Sequence, residues 1–228
     1  MRTIKWQPIS RALKDVYHEH NILEYFENDE SYLKNAFKTT ERLWQEQLNK
    51  TDTLNIIMIS EAPLFGDIQR YIYNPDTPPS VFFYFKDLEV FLEEGQKIKR
   101  PKTTQEQKNI MFEYFSNNGF ISLDIFPFAL NPHHTKIHYQ NMSKKLYHHL
   151  LKITAENYLI PKLKLCLEKS TEHTHFVYRY KRLFDKTEHH FEEVLKQISE
   201  KEIKYKIDSI NSKSMSLDKE KLKRLLSA

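Results

Sequence analysis

The chain has 228 residues, enough for a single domain over residues 1–228 with a full core. Hydrophobic residues make up 39% and charged residues 29%, with a formal net charge of +4, a balance that permits a nucleic-acid partner without specifying one. No apolar run approaches the roughly 20 residues of a membrane span, and the opening Met1–Trp6 lacks the apolar core of a signal peptide. No membrane association and a cytoplasmic location are therefore expected.

Cys166 is the single cysteine, which excludes an internal disulfide and any four-cysteine zinc or iron–sulfur site. Its expected place is the apolar face of a helix. Only three glycines occur, Gly66, Gly95 and Gly119, too scattered for a phosphate-cradling loop or a dinucleotide fingerprint.

Residues 10–50 read as helical, with Leu33, Phe37, Leu43 and Leu48 giving an apolar rhythm. The run Asn55–Ser60 is β-branched and apolar, and it stops at Glu61-Ala62-Pro63. A buried strand is expected there; Pro63 cannot donate to a continuing ladder, so the chain leaves the sheet with Glu61 at the strand's carboxyl end. A long aromatic connection follows to about Pro79 and includes Tyr71 and Tyr73; connections of that length are commonly functional. Val81–Leu92 is ambiguous and fits a helix capped by Ser80.

Arg100–Thr104 reads as a basic loop and Gln105–Asn117 as a helix closed by Gly119. The second strand, Phe120–Phe126, repeats the first design, with Asp124 near its end and Pro127 beyond it. Tyr139–Leu151 and Ala155–Ser170 are expected helices, the latter kinked or restarted at Pro161. Thr174–Tyr180 reads as a third strand, Thr187–Ser199 as a helix and Ile203–Ile210 as a fourth strand. A polar loop, Asn211–Ser216, and a terminal helix, Leu217–Leu226, complete the order. The expected fold is α/β: a three-layer α/β/α sandwich with a central four-stranded, mostly parallel sheet. N-terminal helices over 1–50 precede an α/β core over 53–226.

Two carboxylates on strand ends, each followed by a proline, suggest one site, because open parallel sheets bind ligands at the carboxyl ends of their strands. Ser60-Glu61-Ala62-Pro63 resembles the Gly-Glu-Ala-Pro motif of the iron–sulfur branch of the uracil-DNA glycosylase superfamily. Asp124-Ile125-Phe126-Pro127 is similar to the Asn-x-x-Pro segment of its single-strand-selective branch. The order of elements over about residues 53–226 also fits that superfamily's parallel sheet.

The resemblance implies a monofunctional DNA glycosylase that flips a base out of DNA, excises it and leaves an abasic site. Glu61 and Asp124 are then the catalytic pair. Ala62, Pro63, Tyr71, Tyr73, Phe126 and Asn211 would contact the substrate, with Tyr71 or Tyr73 stacking on the flipped base. Lys181, Arg182, Ser212, Lys213 and Ser214 would contact DNA. No cofactor and no metal are expected, since the spacings of His133, His134, His138, His173 and His175 match no ligand pattern.

Three departures matter. The cluster cysteines are missing, the family's His-Pro-Ser loop survives only as Asn211-Ser212-Lys213-Ser214, and the base-reading asparagine is Asp124. An ionised aspartate only accepts hydrogen bonds, so it suits an exocyclic amine such as the cytosine N4 better than uracil's mixed edge. A modified or damaged cytosine-like base is the expected substrate, in repair or anti-phage defence. A non-catalytic nucleic-acid- or partner-binding module on the same fold is the alternative.

Overall fold

The computed structural model describes residues 4–63, 70–79, 83–131, 134–139, 141–179, 208–209 and 217–226. Within them lies an α/β fold with helices around a parallel sheet. The expected N-terminal helices are α1 (Trp6–Glu19) and α2 (Phe26–Asn49). Between them Asn21 takes φ +54°, a left-handed turn that asparagine tolerates better than most residues. α1 buries Ile9, Leu13, Val16 and Tyr17, and α2 buries Leu33, Phe37, Trp44 and Leu48, at helical spacing. The Tyr17 hydroxyl donates to Asp29 Oδ2 at 2.6 Å, and the Lys136 backbone N–H donates to the same oxygen at 2.7 Å. One buried carboxylate thus ties the helical hairpin to the loop beyond the second strand.

β1 spans Leu54–Ser60 and buries every residue except Asn55, as its unbroken apolar run requires of a strand covered on both faces. α3 (Thr104–Asn117) opens on a capping box between Thr103 and Glu106. The helix closes into Gly119, whose φ is +63°. A Cβ there would lie 2.5 Å from the Thr53 carbonyl oxygen and 2.8 Å from the Asn55 nitrogen, so only glycine fits. This turn delivers the chain directly into β2 (Phe120–Asp124).

β1 pairs in parallel with β2, from Ile56 opposite Phe120 to Ser60 opposite Asp124. On its other side it pairs in parallel with β3 (Ser170–Tyr178), with Ile59 opposite Tyr178. The result is a three-stranded parallel sheet in the order β2–β1–β3. Asp208–Ser209 (β4) runs parallel to Val177 and Tyr178 on the outer side of β3.

α4 (Lys144–Thr154) starts at Ser143, whose hydroxyl accepts from the Leu146 N–H. It continues through a π turn, Ala155–Leu159, into α5 (Ile160–Glu168). The expected irregularity at Pro161 is this turn. Proline has no N–H to give the Asn157 carbonyl, and the Lys5 N–H takes it instead at 3.1 Å. α6 (Lys219–Leu226) buries Leu222 and Leu225.

Several expectations change. The ambiguous stretch over 81–92 holds a 3₁₀ segment, Phe85–Phe91, opened by Asp87 accepting from the Tyr84 N–H at 2.7 Å. β2 ends at Asp124 rather than Phe126, although the Ile125 and Phe126 N–H groups still reach the Ser60 and Glu61 carbonyls, each at 2.9 Å. β3 begins earlier than expected, at Ser170, and ends at Tyr178. The helix expected over 187–199 lies outside the described residues, and of the strand expected over 203–210 only Asp208–Ser209 is described. No helix among the described residues is long and apolar enough to cross a membrane.

Candidate functional site

The parallel register brings Glu61 and Asp124 to the carboxyl ends of adjacent strands. Ser60 lies directly opposite Asp124, and its hydroxyl donates to Asp124 Oδ1 at 2.6 Å. Ser122, two residues back on the same face, brings its hydroxyl 3.5 Å from that of Ser60. Asp124 is 4% exposed. Burial pushes its carboxyl up to about 6, against the opposing pull of the Ser60 bond and of the Arg179 and Lys162 charges.

Glu61 sits in a different environment. It is half-buried, and its Oε1 accepts from the Tyr147 hydroxyl at 2.9 Å. The two carboxylates therefore differ: one shielded and held by a neighbouring serine, the other open to solvent on one side and oriented by a phenol. Such asymmetry is how one fold separates the roles of two carboxylates.

Phe126 is fully buried between Tyr139, stacked at 5.0 Å, and Tyr147, edge-on at 5.7 Å. Its ring packs against the phenol that holds Glu61. The Tyr139 hydroxyl donates to the Phe128 carbonyl at 2.8 Å and so fixes the far wall of this aromatic group. Ala62 is half-buried and Pro63 buried immediately beyond Glu61.

Tyr71 and Tyr73 do not stand open for a base. Each is 2% exposed, and their rings meet edge to face at 5.5 Å. The Tyr73 hydroxyl accepts from the Ser122 N–H at 2.6 Å, which satisfies a backbone donor on the outer edge of β2. The Tyr71 hydroxyl is buried with no hydrogen-bond partner among the described residues. Lys108, 1% exposed, donates from Nζ to the Ile72 carbonyl at 2.7 Å and clamps the same loop to α3.

Sequence reasoning missed several buried charges, Lys162 among them. Lys162, on α5, is fully buried; its Nζ lies 2.9 Å from Glu41 Oε2 and 2.7 Å from the Tyr158 hydroxyl, and 4.0 Å from the Trp44 ring centre. Burial pushes it down to about 8, with the Glu41 and Asp124 charges opposing. Only its position directly after Tyr-Leu-Ile-Pro in an apolar helix hinted at this. Cys166 is buried on the same helix, as expected, with its thiol pushed up to about 12 by burial.

Asn211, Ser212, Lys213, Ser214, Lys181, Arg182 and His133 lie outside the described residues. Among the described residues no group of three or more His, Cys, Asp and Glu side chains is placed to hold a metal ion.

Asp124 makes a testable contribution to stability. Its folded value is raised above the ordinary 3.8, so the folded state holds its proton more tightly than the unfolded chain does. Stability is then favoured at low pH and is lost as pH rises through about 6, by about 3 kcal/mol in total. Asp124→Asn keeps an acceptor for Ser60 and removes the charge. Its melting temperature is expected to exceed that of the unsubstituted protein at pH 8 and to match it at about pH 3, where the carboxyl is protonated in both the folded and the unfolded state. A thermal scan at the two pH values checks this.

Comparison with family models, with curated proteins and with solved structures returned no match.

Proposed function

We propose that the chain is a glycosylase of the uracil-DNA glycosylase type, acting on a cytosine-like base bearing an exocyclic amine. The observation that carries the reading is the pairing of Glu61 and Asp124 on the carboxyl ends of adjacent parallel strands. A central four-stranded sheet in a three-layer sandwich belongs to the same reading.

In this mechanism the flipped base leaves with the electron pair of its glycosidic bond while a water attacks the sugar C1′. Glu61, oriented by Tyr147, holds that water, stabilises the cationic sugar and accepts the water's proton. The departing base is protonated by solvent, and Glu61 returns its proton to solvent. The products are the free base and an abasic site. Asp124, ionised above about pH 6, accepts from the amine of the base. Uracil would set its O4 against that carboxylate, at a cost of about 1–3 kcal/mol for an unpaired buried acceptor.

The test is excision from labelled DNAs carrying uracil, hypoxanthine, cytosine or modified cytosines, scored as abasic sites. Release of an amine-bearing base without release of uracil is the expected result, and Asp124→Asn is expected to admit uracil.

A second reading, a non-catalytic nucleic-acid-binding module, draws on exposed aromatics that carry lysines over their rings. Lys136 Nζ lies 4.7 Å from the Tyr25 ring centre and Lys86 Nζ 5.7 Å from that of Tyr84, with Tyr25 and Tyr84 among the exposed large side chains. Stacking faces beside cations suit single strands. Salt-sensitive DNA binding without release of any base would favour this reading over the first.

A further inference from the structure

Three adjacent strands end in a lateral row of buried polar residues. Asp124 pairs opposite Ser60 across β2 and β1. Beyond Tyr178, which lies opposite Ile59, the Arg179 N–H donates to the Ile59 carbonyl at 2.9 Å, so Arg179 continues alongside Ser60 on β1's other flank. The order across the sheet is carboxylate, hydroxyl, guanidinium. Exposures are 4%, 3% and 5%.

Neighbouring strands lie about 4.8 Å apart, so the two charged residues at the ends of the row are separated by about 10 Å of backbone, with the smallest side chain between them. The Ser60 hydroxyl is spent on Asp124. Arg179 keeps its charge at every working pH, since a guanidinium is not deprotonated in proteins. It is also the nearest described cation to these strand ends in sequence, one residue past β3.

Resting on the glycosylase reading above, we infer that Arg179 carries the negative charge of the departing base, and that the base spans the row with its amine toward Asp124 and its carbonyl oxygen toward Arg179. A cytosine-type ring presents this polarity, with a donor at N4 and an acceptor at O2. When the C1′–N bond breaks, its electron pair delocalises onto the ring and O2, and a fixed cation there stabilises the transition state more than the ground state. The role left open by Asn211–Ser214, which lacks the family's histidine, passes to a residue on a different strand.

The experiment is single-turnover excision by the full chain and its Arg179→Gln and Arg179→Lys variants, on a series of cytosine analogues whose departing bases differ in acidity. Loss of a preorganised charge is expected to slow the poorest leaving group by about 100-fold or more and the best by far less, so that the rate depends more steeply on leaving-group acidity. Arg179→Lys should restore part of the rate and flatten the dependence again. Equal slowing of every analogue, with the pH profile displaced through Asp124, would make Arg179 a structural counter-charge and overturn the inference. If the unsubstituted protein releases no base at all, the glycosylase reading fails and takes this inference with it. Should Arg179→Gln not fold, the comparison rests on Arg179→Met, which also removes the charge; a slope there equal to that of the unsubstituted protein overturns the proposal.

Discussion

Glu61→Gln is expected to reduce base excision by about 10²- to 10⁴-fold while leaving DNA affinity within a few-fold of its starting value. Glutamine has the shape of glutamate and retains an oxygen to accept from the Tyr147 hydroxyl, which donates at 2.9 Å. The packing of Phe126 against Tyr147 therefore persists, and the fold should not move. On the proposed glycosylase mechanism, the change removes the negative charge that would face the cationic sugar and the capacity to take a proton from water. Because both act in the transition state, kcat should fall with little change in KM. Single-turnover excision beside a binding titration separates the two quantities; survival of the rate would mean that Glu61 has been given the wrong role.

Lys162→Met should be the costliest single change to stability, at about 3 kcal/mol, toward the lower end of what removing one partner of a buried pair costs. Methionine fills most of the stem volume. Left behind are Glu41, whose side chain is 23% exposed and recovers some water, and the Tyr158 hydroxyl, which loses its donor. The charge itself is not favourable where it stands: burial lowers it to about 8 despite Glu41. A lowered lysine means that between about pH 8 and 10.5 the unfolded chain binds more protons, so stability rises with pH across that window. This rise should vanish in the variant. Replacing both partners, as in Lys162→Met with Glu41→Leu, is expected to recover most of the loss, since a dry apolar pair avoids the desolvation of two charges. Denaturant melts of the four proteins give the coupling directly; additive losses would argue against a buried pair.

The contrast between Glu61 and Lys162 marks where sequence reasoning succeeds. Short, predominantly apolar runs closed by proline identify β1 and β2, because apolar residues at consecutive positions can be satisfied only by burial on both faces. The position of Glu61 and Asp124 at strand ends follows from the same runs, as does the close of α3 at Gly119, where positive φ and a 2.5 Å approach admit no side chain. The break at Pro161 was legible too, since it follows from a missing N–H rather than from any neighbour.

What the tertiary structure alone decided concerns groups whose role depends on a partner distant in sequence. Tyr71 and Tyr73 have the composition of stacking residues, yet the bare N–H of Ser122, 49 positions beyond Tyr73, claims the Tyr73 hydroxyl and draws the loop inward. A lysine in a helix is read as solvated until Glu41, 121 residues away, is found beside it. The row from Asp124 through Ser60 to Arg179 exists only in the register of three strands, which no single segment encodes. Local patterns specify which segments are buried; the pairing of those segments decides which polar atoms meet, and with them the chemistry.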